Sequence, residues 1–186
     1  MNDISTPAHT IDVTTQWLER AVIGLNLCPF AKGVHIKRQI RYVVSDATTP
    51  EALADDLVRE LEFLAEANAE QIDTTLLIHP HVLQDFLDFN DFLEVADGIV
   101  EELELDGILQ VASFHPQFQF ENTVPDDITN FTNRAPYPTL HLLREESVEN
   151  AVSAFPGELE IASANIETLE KLGHDGWGAL EIPKMG

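Results

Sequence analysis

The sequence contains one cysteine, Cys28, among 186 residues. A lone thiol cannot close a disulfide within the chain, and such sparing use of cysteine suits a reducing compartment, so a cytoplasmic location is expected. Basic residues are scarce. Ten Lys and Arg face 33 Asp and Glu, for a formal net charge of −23. Neutralising nucleic-acid phosphates takes Lys and Arg, so nucleic acid is not an expected partner. Long apolar runs are missing too. The longest uncharged stretch near the N-terminus, AVIGLNLCPFA, falls short of the ~20 apolar residues that span a bilayer, and no membrane association is expected. No basic segment followed by an apolar core opens the chain, so no secretory signal is expected. HExxH, paired CxxC, the P-loop, GxGxxG and GxSxG are all absent, which leaves no compact motif to name a chemistry.

What is present is enough for one core. Hydrophobic residues make up 44% of the chain, and the length suits a single domain over 1–186, with residues 1–10 a loose N-terminus. The charge is uneven. Arg20, Lys32, Lys37, Arg38 and Arg41 outweigh Asp3, Asp12 and Glu19 in residues 1–45, so the acidity lies in the remainder. Such acidity is a solubility device in the first instance.

Periodicity predicts the elements. Val13, Trp17, Ala21, Val22 and Leu25 recur at helical spacing. VHIKRQIRYVV (34–44) alternates and is β-branched, as a strand would be. Thr49-Pro50-Glu51 starts a helix, and Leu53, Leu57, Leu61 and Leu64 form its stripe. Further strands are expected at 74–78, 108–114 and 139–143, and a long helix at 82–104. Closing helices are expected at 147–154 and at 162–172, the latter stopped by Gly173. Strands alternating with helices predict an α/β domain, with about four strands in a parallel or mixed sheet covered by helices; a ferredoxin-like α+β arrangement is the alternative.

Ligands in open parallel sheets bind outside the carboxyl ends of the strands. On a parallel reading, Ser45-Asp46, His79-Pro80-His81, His115-Pro116-Gln117 and Arg144-Glu145 share one edge. His79, His81 and His115 are then candidate ligands for zinc or iron, with His141, Asp46 or Cys28 as further donors. The plainer alternative is that these histidines bond loop backbone. Cys28 and His115 are the candidate catalytic residues. Cys28 favours thiolate if Pro29 opens a new helix and makes it an N-cap, and is otherwise a buried structural thiol. Lys32, Gln117, Asn133, Arg134 and Arg144 are candidate ligand-binding groups, since Arg presents a planar fork to carboxylate or phosphate. Pairing with surface acids is the alternative for the bases, Lys37, Arg38 and Arg41 included. Asp85, Asp88 and Asp91 lack the glycine and terminal Glu of a calcium loop.

SFHPQFQFENTVPDDITNFTNRAPYPTLHLLRE carries a long stretch with no sustained period between two apolar strands. Loops beyond roughly 12–15 residues in compact domains tend to be functional or disordered. Phe114, Phe118, Phe120, Phe131 and Tyr137 can anchor this one, and Thr123 to Asp126 reads as the start of a short helix over 124–131. The insert is therefore expected to be an ordered lid over the sheet edge. Arg134 in it should meet a ligand, or an acid such as Asp126 or Asp127.

That segment, with WLERAVIGLNLCPFAKG, HPHVLQDFLDFNDFL and NIETLEKLG, resembles a bacterial domain-of-unknown-function family, number fourteen-fifteen, from about Trp17 to Trp177. The resemblance implies a stand-alone bacterial cytosolic protein and supplies no activity, ligand or catalytic residue. Two functions are expected from the residues themselves. One is an enzyme acting on a small anionic or polar metabolite under residues 115–138. The other is a non-catalytic small-ligand-binding or interaction protein using the same pocket.

Overall fold

A computed structural model describes residues 6–154 and 158–183. The expected loose N-terminus lies partly outside the described residues; from Pro7 onward the chain is already helical. Thr6 caps α1 (Pro7–Trp17), its hydroxyl accepting from the His9 N–H. A π-helical turn (Leu18–Ile23) continues α1. α2 (Pro29–Ile36), β1 (Ile40–Val44), α3 (Pro50–Glu66), β2 (Thr74–Ile78), α4 (Phe86–Glu102) and β3 (Leu109–Phe114) follow. A 3-10 helix (Ile128–Asn133) lies inside the insert, before β4 (Thr139–Arg144), α5 (Glu145–Ser153) and α6 (Glu158–Gly178).

The four strands form one mixed sheet in the order β1-β2-β4-β3. β1 and β2 are parallel, Tyr42 opposite Leu76. β4 runs antiparallel to both its neighbours, His141 opposite Leu76 on one side and Ala112 on the other. The ferredoxin-like alternative fails, because its strands come in the order βαββαβ, whereas here two helical crossovers precede a final strand pair.

Alternation along the strands gives the sheet two apolar faces. Leu77, Leu140 and Leu142 meet Leu53, Leu57, Leu61 and Leu64 of α3 and Phe89 and Phe92 of α4. On the other face Ile40, Tyr42 and Phe114 pack with Trp17, Leu18, Val22 and Ala31. With helices on both sides the central strand β2 is wholly buried, which is why TTLLI is unbroken rather than alternating.

Two boundaries depart from expectation. The strand expected over 34–44 begins only at Ile40, because Pro29 opens α2 and its helix runs to Ile36. Arg38 (φ 59°) then turns the chain into the sheet. The apolar residues Ala31 and Val34, three apart, serve the helix and not a pleat. In the insert, the short helix starts at Ile128 rather than 124. The Thr123 hydroxyl is spent on Phe120 O and Asn130 Oδ1, and Asp127 takes the cap by accepting from the Thr129 N–H at 2.9 Å. The stop expected at Gly173 is present as a kink within α6, at φ 63°.

Gly24 closes the π turn. Its N–H donates to Glu19 O at 3.0 Å, five residues back. A Cβ there would stand 2.3 Å from Arg20 O, so only glycine fits.

Candidate functional site

Because β4 is reversed, the carboxyl ends of β1, β2 and β3 share one edge with the start of β4. Arg144, at the end of β4, lies at the opposite edge, which corrects its placement among the ligand-binding groups. Its Nη2 reaches the carbonyls of Leu64, Ala67 and Ile72 at 2.7, 2.8 and 3.2 Å, and Asp73 lies 3.7 Å from its Nε. It is a clamp on the loop before β2.

The two His-Pro turns do lie together at the near edge, but they serve the backbone. His79 Nδ1 donates to Val82 O at 3.0 Å. His115 donates from Nε2 to Leu83 O at 3.1 Å, and its Nδ1 accepts the Gln117 N–H at 3.0 Å. Both rings are fully buried and pack on Phe89. His115 thus has no lone pair left for a metal or for proton transfer. Burial holds the His79 pKa down at about 4 and lowers that of His115, so both stay neutral. His81 is exposed. Among the described residues, no group of three or more His, Cys, Asp and Glu is placed to hold a metal ion. The three histidines read as a metal set are therefore not gathered as one.

The insert is folded by its own polar contacts. Asn130 is fully buried, and its Oδ1 accepts from the Phe120 N–H at 2.9 Å while its Nδ2 donates to Val124 O at 2.9 Å. Asn133 Nδ2 donates to Ser113 O at 3.0 Å, tying the two ends of the insert together. Phe118 packs at a tilt against Phe86 and edge-on against Phe120, and Phe131 meets Trp177 and His174 of α6 edge-on. Asn130 and Trp177 were not singled out from the sequence. A buried Asn and a surface Asn look alike in one sequence, and a C-terminal Trp carries no period.

Arg134 stands in this frame. It does not pair with Asp126 or Asp127 as expected of a scaffold arginine. Its Nε donates to Phe118 O at 3.1 Å, its Nη2 to Pro125 O, and its guanidinium lies over the Phe131 ring at 4.4 Å. These bonds use the Nε–Nη2 edge. The Nη1 donors have no partner among the described residues. Arg41, Arg59, Arg144 and Lys171 each have a carboxylate at ion-pair distance, whereas Arg134 has none among the described residues. Burial lowers its pKa, and the more distant Asp126 opposes that.

Arg134 lines a half-open pocket of about 380 Å³, together with Trp17, Phe131, Trp177, Pro116 and Ile182. Both tryptophans of the chain are in this wall. Arg20 fixes the C-terminal part of the wall by donating to Leu180 O and Glu181 O. Among the described residues, Arg134 is the sole titratable side chain of the lining. Of the other residues expected at a ligand, Lys32 and Gln117 are exposed and Asn133 is committed to Ser113.

Cys28 lies elsewhere, on a smaller cavity of about 40 Å³ under the π turn, with His141, Thr74 and Phe114. It is the N-cap of α2. Its sulfur makes no capping hydrogen bond of normal geometry, although the Ala31 and Phe30 N–H groups favour its thiolate; burial outweighs them and pushes the pKa up. His115 is not on this cavity. Cys28 and His115 therefore form no catalytic pair.

A family model described as "Protein of unknown function (DUF1415)" matches residues 9–179. No curated protein and no solved structure matches the chain.

Proposed function

The chain belongs to the DUF1415 family, and from the geometry of its insert we propose that it binds a small amphipathic anion in the pocket under residues 115–138. One observation carries this reading. In a chain of net charge −23, a half-buried arginine has no carboxylate partner among the described residues and lines a pocket with three aromatic rings, its guanidinium lying over one of them. A guanidinium whose Nε–Nη2 edge is fixed by backbone carbonyls is pre-oriented, so a ligand carboxylate or phosphate loses little entropy in meeting it. The aromatic walls supply apolar contact and keep water from the pair. Among the described residues no carboxylate, imidazole or thiol shares the lining with Arg134, which supports binding over proton-transfer catalysis.

Thermal melting against a panel of small organic anions and their neutral amides tests this. An anion at a hundred times its dissociation constant should add about 2.7 kcal/mol to stability, and its amide should add nothing. Arg134→Gln should lose the response. Equal stabilisation by anion and amide would refute the role given to Arg134.

A further inference from the structure

Trp17 is a wall of both cavities, the 380 Å³ pocket that holds Arg134 and the 40 Å³ one beneath the π turn. Its indole meets Phe114 edge-on at 5.2 Å, and Phe114 lies 6.0 Å from the His141 ring. The two spaces are thus neighbours that share Trp17 as a wall. The inner one is almost wholly apolar: Leu18, Val22, Ala31 and Leu76 line it.

Its two titratable groups are neutral. Thr74 has one hydroxyl proton and gives it to Leu142 O at 2.6 Å, so the His141 Nε2, also 2.6 Å from that hydroxyl, must carry a proton and donate. Burial holds His141 at a pKa of about 4 and raises that of Cys28, so imidazole and thiol both stay uncharged at neutral pH. Such a space rejects an ion and accepts hydrocarbon. The π turn beside Trp17 is a less regular helix, of the kind found at functional sites.

We propose that the two cavities are one ligand site: Arg134 takes the carboxylate of an unbranched aliphatic acid, and the tail passes Trp17 into the inner cavity toward Cys28 and His141. This rests on the reading of the outer pocket given above and names its ligand class. At about 40 Å³ the inner space takes roughly one or two methylenes, judged against the ~30 Å³ share of a water.

The test is a titration of the protein with straight-chain carboxylates from acetate to decanoate, followed by tryptophan emission. Affinity should rise about fourfold per added methylene and then level once the inner cavity is full. Ala31→Leu, which fills that cavity, should remove the last steps of the rise. In the wild-type protein, the longer acids should also slow modification of Cys28 by methyl methanethiosulfonate, and acetate should not. Affinity independent of chain length, or a full rise retained in Ala31→Leu, overturns the proposal while leaving carboxylate binding in the outer pocket intact. No response to any carboxylate overturns both.

Discussion

His79 and His141 are neutral because the protein around them excludes water, and their cost appears when the solution turns acid. Each has a folded pKa near 4 against an ordinary 6.5. A depressed folded pKa means the unfolded chain binds the proton more readily. The stability each histidine preserves is full above about pH 6.5 and is lost as pH falls toward 4. Between pH 7 and pH 5 the loss should be on the order of 2 kcal/mol per histidine. Urea denaturation at the two pH values should show it, and His141→Gln should reduce the difference by about that amount; an unchanged difference would mean His141 is not desolvated. The His79 Nε2, buried without a partner among the described residues, would gain a proton with nowhere to donate it. The two His-Pro turns were legible as landmarks of the sheet edge. Their role was not, because a metal-binding imidazole and one that binds Val82 O or Leu83 O have the same letter. What separates them is the path of residues 82–83, where Leu83 has a φ of 57°, and single-sequence periodicity carries nothing about that path. Arg134 shows the same limit: its position in the insert marked it, and its partners turned out to be carbonyls rather than acids.

The insert is the element on which the functional reading stands, and Asn130 is its keystone. Asn130→Ala would remove the two hydrogen bonds of the buried Asn130 amide, from the Phe120 N–H and to Val124 O, at about 0.5–1.5 kcal/mol each. Denaturant melts should show that loss, and limited proteolysis should shift from slow to rapid between Phe118 and Asn133. Rapid cleavage there in the wild-type chain would contradict the folded lid. The π turn gives a second element-scale prediction. Gly24→Ala forces a Cβ against Arg20 O, which should cost roughly 1–3 kcal/mol, as overpacking does, and should disturb the emission of nearby Trp17. Sequence periodicity found the long elements, since Leu53, Leu57, Leu61 and Leu64 can only be a helix stripe. It missed the π turn because its apolar residues Leu18, Ala21 and Val22 are spaced as any helix would space them. It misread 34–39 because Val34, Ile36 and Arg38 alternate by coincidence, and Pro29 decides the matter five residues earlier. Cys28 as an N-cap followed from the same proline and is found, but burial outweighs the helix N–H groups, so the thiolate expected with that cap is disfavoured.

At the scale of the whole molecule, the reversed β4 decides which residues can meet. It sends Arg144 to the far edge and returns the insert to the edge at which β1, β2 and β3 end. Strand direction is not written in the alternation of TLHLL, which reads the same either way, so the site was located only in part. Charge acts at this scale too. A chain of −23 repels any anion at long range, while Arg134 attracts it at contact. Raising ionic strength from 0.01 to 0.15 M shortens the screening length from about 30 to about 8 Å, which should weaken the repulsion more than the half-buried contact. Anion affinity should therefore rise modestly over that range. Titrations in the two buffers check this, and a steep fall would point to exposed lysines such as Lys32 as the binding groups. The most direct test of the pocket itself uses the chain's two tryptophans, both in its wall: their emission is followed while the protein is titrated with octanoate and, separately, with octanamide. Octanoate should change the emission saturably, octanamide should not at the same concentrations, and Arg134→Gln should abolish the octanoate response. The same response to both compounds, an unchanged response in Arg134→Gln, or no saturable response to octanoate would contradict an anion site built on Arg134.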